Sequence, residues 1–257
     1  MNKEQKKHII QSLKQGVRLD GRDLEEYREV IIETGISATA EGSARVKLGE
    51  TEVIAGVKIG IDKPFPDRPD DGILMVNAEF LPLSSPDFES GPPGIESIEL
   101  ARVVDRGIRE SKMIDLKKLC IKPGEKVWGV MIDICTVNVD GNLLDAAGLA
   151  AMAAVRDAKF PSYENDQVDY KKMTEKGLPY SKLPIPVTIF KVGNVFLVDP
   201  TEEEEDLYDA RLTVTTEESG QLCALQKGGE GPLSADDVKK MLEMGALKGA
   251  ELREKLG

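Results

Sequence analysis

Three groups of side chains have the types and spacing to do chemistry. The first lies in Val139-Asp140-Gly141-Asn142-Leu143-Leu144-Asp145-Ala146-Ala147-Gly148-Leu149, where a strand ends, a glycine turns the chain and a small-residue helix begins. A helix start exposes unpaired backbone N–H groups at the positive end of the helix dipole, which predisposes it to bind an anion. A phosphate site of this kind is completed by Ser, Thr or Arg after the glycine. Here Leu143 and Leu144 stand at the mouth, with no polar side-chain atom. On residue types alone it is a buried turn.

The second group is a helical segment at 96–113. At about 100° per residue, Leu100, Val103, Val104, Gly107, Ile108, Ser111 and Ile114 share one face, with Arg102, Arg106 and Arg109 on the opposite side. Three guanidiniums at i, i+4 and i+7 can each fork onto successive phosphates of a nucleic-acid backbone. A solvated face balanced by Glu99, Asp105 and Glu110 is the commoner outcome for such a pattern. The third group is Asp199-Pro200-Thr201-Glu202-Glu203-Glu204-Glu205-Asp206, six carboxylates in eight residues at a strand end. It could hold a divalent cation or supply a general acid; a solvated acidic turn is the simpler reading.

Other chemistries are excluded by what the chain lacks. Cys120, Cys135 and Cys223 are odd in number and widely spaced, which argues against a disulfide framework or a zinc site and for buried thiols. The single histidine, His8, has no partner nearby in sequence, so histidine-based catalysis is not expected. A net charge of −12 opposes general polyanion binding, so any nucleic-acid contact needs a local basic patch or a partner chain. No apolar run approaches the roughly 20 residues of a membrane span, and the N-terminus lacks the apolar core of a signal peptide. The expected setting is cytoplasmic, without a membrane.

The elements that must position these groups follow from periodicity. Residues 3–15 form a helix stopped by Gly16, and Arg18-Leu19-Asp20-Gly21-Arg22 is a charged turn. Strands follow at 30–32, 44–48 and 53–59, the last two joined by a hairpin turn at Gly49-Glu50-Thr51. A Pro- and Asp-rich loop at 62–72 leads to a strand at 73–83, the helix at 96–113, an apolar strand at 127–139 and an Ala-rich helix at 144–158. Residues 161–183 show no sustained apolar periodicity and read as a link. Strands at 185–190, 195–199, 210–215 and 222–226 and a helix from 235 complete the chain. The fold class is α+β, as two halves in which helices pack on sheets, with the order suggesting duplication. The expected divisions are 1–27 (N-terminal helix and charged turn), 28–160, a link at 161–183, and 184–257.

Arg18-Leu19-Asp20-Gly21-Arg22, the hairpin Gly42 to Thr51 and Ile98-Glu99-Leu100-Ala101-Arg102-Val103-Val104-Asp105-Arg106 together resemble the RNase PH family. The strand, Asp140-Gly141, small-residue helix and strand ending in Val198-Asp199 extend the resemblance over nearly the whole chain. It is most similar to the non-catalytic RNase PH-like ring subunits of archaeal exosomes. The resemblance implies an RNase PH-like fold with a ribosomal-protein-type βαβ core, duplicated, and helices on mixed sheets. It implies a hetero-hexameric ring of three heterodimers, in which a catalytic RNase PH-like sister subunit degrades single-stranded RNA 3′ to 5′ by phosphorolysis. RNA-binding cap subunits are further expected partners, and no cofactor or metal is expected in this chain.

In active members a Gly-Ser/Thr-Arg motif binds inorganic phosphate, and its Ser and Arg positions fall on Leu143 and Leu144. Active members also carry two aspartates six residues apart. The first corresponds to Asp199, but the second position holds Glu205, with Asp206 beside it. Without polar groups at the mouth, the resemblance implies no catalytic residue in this chain. It assigns RNA contact to Arg102, Arg106 and Arg109, with Arg68 in the Pro-rich loop as a further candidate; backbone phosphates would be the target.

Overall fold

The computed structural model describes residues 1–257. Asn2 caps helix α1 (Lys3–Lys14), whose Ile9 and Leu13 are buried against Phe190, Val192 and Leu197 of the second half. Period-two burial then builds the first sheet from β1 (Val30–Thr34), β2 (Gly42–Leu48), β3 (Thr51–Asp62), β4 (Ile73–Glu79), β5 (Cys120–Lys122) and β6 (Lys126–Asn138). Its order is β1-β2-β3-β6-β4, with β5 pairing β6 off that path. All pairs are antiparallel except β4–β6. A parallel pair needs a crossover, and helix α2 (Ile95–Ser111) lies within it. Helix α3 (Leu143–Asp157) follows β6, and a hairpin of β7 (Lys159–Glu164) and β8 (Gln167–Gly177) leads to the second half.

The second sheet comprises β9 (Ile185–Val192), β10 (Val195–Val198), β11 (Ala210–Thr216) and β12 (Leu222–Gly228), in the order β10-β9-β11-β12. The short helix α4 (Glu202–Glu205) precedes β11, and α5 (Ala235–Leu256) closes the chain. The layers are sheet, helices, sheet, helix. α3 packs on β2 and β3 from one side and β9 from the other, while α5 covers β9 and β11. α2 lies beside α3 and touches β4 and β12.

α3 occupies the centre because its residues are small. Every residue from Leu144 to Val155 is buried, and a helix apolar on all sides belongs inside a protein. Gly148 lets the second sheet come close, since a Cβ there would lie 2.2 Å from Cγ of Pro186 in β9.

The α+β architecture expected from the sequence is present, with four departures in detail. Only the first sheet is mixed; the second is wholly antiparallel, because a tight turn at 217–220 joins β11 to β12 and leaves no room for a crossover. The stretch read as an unstructured link carries the β7–β8 hairpin, whose outer strand is largely exposed and so shows no apolar period. β4 ends at Glu79 rather than near Leu83, because the Leu81 N–H donates to the Thr136 hydroxyl instead of a ladder partner. The three cysteines are free but half-buried rather than buried. Cys120 and Cys223 lie on β5 and the edge strand β12, and Cys135 alternates with the buried Ile134 and Thr136.

Gly148→Ala is expected to destabilise the fold by about 1 kcal/mol. Overpacking against a rigid proline ring costs about 1–3 kcal/mol, and only about 1 kcal/mol returns as helix propensity. Chemical denaturation would report a lower midpoint at unchanged m-value.

Candidate functional site

β10 ends at Val198, and the next residue, Asp199, turns the chain in the left-handed region at φ 47°, a conformation for which Asp is among the favoured residues. Its carboxylate is fully buried and collects donors from three residues. Arg28 donates through Nε (2.9 Å), Nη2 (2.7 Å) and its backbone N–H (2.7 Å), Arg22 through Nη1 (3.0 Å), and Asn142 through Nδ2 (3.1 Å). The Asp199 carbonyl accepts from Arg18 Nη2 at 2.7 Å, and the buried Arg18 also forks onto Glu204. The charged turn at 18–22 is therefore one side of an internal clasp on the acidic run.

The mouth of α3 rests on this clasp. Gly141 (φ 77°) lies so near the 200–202 backbone that a Cβ would sit 2.5 Å from the Pro200 carbonyl oxygen. Asn142 is the helix N-cap in the left-handed region and makes no side-chain cap. Its backbone N–H donates instead to Glu205 Oε2 at 2.7 Å. A carboxylate of the chain itself thus takes the N-cap N–H at the positive end of the dipole. Burial raises the Glu205 carboxyl, against the pull of that N–H and of Arg211 and Arg28. Leu143 packs half-buried on the core and Leu144 is buried within it, so neither offers a polar group at the mouth.

Behind the mouth, Asp145 is wholly buried, accepting from the Tyr27 hydroxyl (2.6 Å), the Thr188 N–H (2.8 Å) and Asn142 Nδ2 (3.1 Å). Burial pushes its carboxyl up to about 7, although these three donors favour the ionised form and pull the other way. Tyr27 is raised well above the usual phenol range by the same burial and by the charge of Asp145.

The rest of the acidic run does not converge. Glu204 is held by Arg18 and Glu205 by Asn142, while Glu202, Glu203 and Asp206 are exposed. No three carboxylates are grouped as metal ligands would be. Of the carboxylates marked by the sequence, Asp199 and Glu205 meet at the α3 mouth with Leu143 and Leu144, and Asp206 stays at the surface.

The arginine stripe divides. Arg102 and Arg106 are exposed, and their guanidiniums have no ion-pair partner in the chain. Arg109 is tied down by Asp105, four residues earlier (2.7 Å to Nη2), and donates to the Leu74 carbonyl at 3.1 Å. Glu99 is taken by Arg211 at 2.7 Å, so it does not neutralise Arg102. Arg68 is exposed beside Asp67 at 3.9 Å.

Sequence reasoning missed Arg18, Arg22, Arg28, Tyr27 and Thr188. Arg18 and Glu204 are 186 positions apart, and no local spacing marks such a pair. A usable signal existed only in the matching of a charged turn rich in Arg with a distant run rich in Glu.

This arrangement defines a class: two-part α+β chains that set a helix start of the first half against a strand end of the second. Residues 26–161 match the model of the 3′ exoribonuclease family, domain 1, and residues 182–246 that of domain 2. The chain belongs to the RNase PH family. It is 47% identical over 253 residues to the exosome complex component Rrp42 of Methanothermobacter thermautotrophicus, covering 98% of this chain and 93% of that protein. The Rrp42 of Thermococcus onnurineus is 48% identical over 97% of this chain and 93% of its own length. Among solved structures, a chain of the Archaeoglobus fulgidus exosome with RNA bound to the active site superposes at TM-score 0.93. It is 45% identical, covering 99% of this chain and 98% of that one. No helix is long and apolar enough to cross a membrane.

The buried Asp145 makes stability depend on pH. A carboxyl raised from the ordinary 3.8 to about 7 in the folded state binds its proton more tightly there than in the unfolded chain. Its contribution is therefore complete below pH 4 and is lost as pH rises to about 7, with a slope of at most about 1.4 kcal/mol per pH unit. Asp145→Asn is expected to flatten this slope between pH 5 and 7 in unfolding free energies measured by denaturant titration.

Proposed function

We propose that this chain is a non-catalytic subunit of an exosome ring, pairing with a catalytic RNase PH-like sister in three heterodimers and helping to hold single-stranded RNA during 3′-to-5′ phosphorolysis. The carrying observation is the mouth of α3, where the phosphate-binding positions are Leu143 and Leu144 and the Asn142 N–H already donates to Glu205. Phosphorolysis needs inorganic phosphate held in line with the scissile ester and its charge offset. An anion brought to about 4 Å from the Glu205 carboxylate would meet about 4 kcal/mol of repulsion at an effective dielectric constant of 20. Asp199 and Glu205, the carboxylates an active reading would use, are both occupied in holding the fold.

RNA contact falls to Arg102 and Arg106, the two stripe members with no partner of their own. Forked guanidinium contacts to phosphate carry no base preference, which suits a subunit that guides RNA of any sequence. RNA-binding cap subunits would complete the assembly, and a cytoplasmic setting fits this role. Arg109, oriented by Asp105 of the same helix, contributes by fixing α2 to β4 through the Leu74 carbonyl.

Purified chain incubated with phosphate and poly(A) is expected to release no nucleoside diphosphate; measurable release would sink the non-catalytic reading. In the complex reconstituted with the sister chain, Arg102→Glu with Arg106→Glu is expected to weaken RNA binding about tenfold or more. The salt dependence should also flatten by about 1.4 in log–log slope, since each single-strand phosphate contact contributes about 0.7. Unchanged binding and decay would leave only a spacer role.

A further inference from the structure

One feature outside the α3 mouth and the arginine helix has the form of a binding site. A groove of about 930 Å³ runs between the outer face of β4 and β6 and the loop that leads into α2. Five carboxylates line it, Glu79, Asp87, Glu89, Glu96 and Asp133, and no Lys, Arg or His does. None of the five forms an ion pair; Asp133 accepts only from the neutral amide of Asn77 at 3.1 Å. Its apolar surface includes the Phe80–Phe88 pair, with ring centroids 4.7 Å apart, and Ile95, which is 86% exposed. β4 pairs with β6 alone, so its other edge has no strand partner, and Arg109 caps only the Leu74 carbonyl.

These features select one kind of occupant. Five unpaired carboxylates repel nucleic acid, and an unpartnered strand edge accepts an extended polypeptide by main-chain pairing. Side chains alternate along a strand, so one set would face the aromatic floor and the other the carboxylates. We propose that this groove receives an extended segment of a partner protein in which basic and apolar residues alternate. The segment adds to the edge of β4, sets its apolar side chains on Phe80, Phe88 and Ile95, and sets its Lys or Arg residues against Glu79, Glu89 and Glu96. This docking surface is independent of the RNA-holding role of Arg102 and Arg106.

The test uses the full-length chain and a capped heptapeptide of alternating lysine and valine, followed by backbone amide NMR and calorimetry. Saturable binding is expected, with shifts concentrated in residues 77–97. The combined variant Glu79→Gln, Glu89→Gln, Glu96→Gln, whose side chains are exposed and whose fold is checked by circular dichroism, is expected to bind about tenfold more weakly. A peptide of alternating glutamate and valine, and oligo(A), are expected not to bind there. Absence of binding, shifts elsewhere on the chain, equal binding of the glutamate peptide or of oligo(A), or an unaffected triple variant would each overturn the proposal.

Discussion

The buried carboxylate of Asp199 is the contact on which the remainder of the site depends. It has no solvent to stabilise its charge, so its stability rests on the donors of Arg28, Arg22 and Asn142. Those donors come from the charged segment after α1 and from the start of α3, while Asp199 itself follows β10 of the second sheet. One group therefore fixes three parts of the chain that no sheet pairing connects. Removing a partner from such a buried cluster is expensive because it leaves a charge uncompensated. That cost explains why carboxylates that could serve chemistry in a relative serve cohesion here.

The same clasp determines what the helix mouth can do. With Asp199 holding Asn142 by its side chain, the Asn142 backbone N–H is directed at Glu205. The N-cap N–H of α3 is taken from within, and Leu143 and Leu144 pack on the core instead of offering polar groups at the mouth. Charge is then distributed unevenly over the molecule. The clasp neutralises arginines at 18, 22 and 28, whereas Arg102 and Arg106 on α2 keep theirs for an external partner. In a chain of net charge −12, two unpaired guanidiniums on one helix face give local attraction without general affinity for polyanions.

Periodic features were legible in the sequence. The amphipathic pattern of α2, with its buried and charged faces, and the strand–turn–helix order around Asp140 and Gly141 could be read because each depends on residues within a few turns of one another. The lack of polar side chains at the α3 mouth was equally visible, since Leu143 and Leu144 carry no polar atom whatever surrounds them. The clasp was not legible: the arginine partners of Asp199 lie more than 170 positions away, and a run of acidic residues looks solvated until its arginines are placed. Arg109 shows the converse. Asp105 was noted as a flanking balance for the stripe, but only the geometry distinguishes an arginine captured by its i−4 neighbour from two that are not. The β7–β8 hairpin escaped because a strand exposed on both faces has no hydrophobic alternation to report.

A non-catalytic role requires that the start of α3 no longer accepts a free anion. Titrating inorganic phosphate into the isotope-labelled chain while following the backbone amides of Asn142, Leu143, Leu144 and Asp145 measures this directly. The Asn142–Glu205 bond and the apolar side chains of Leu143 and Leu144 predict that these amides do not shift in a saturable way. A saturable shift confined to them would mean that phosphate displaces the internal carboxylate, and would contradict the assignment of this site as closed.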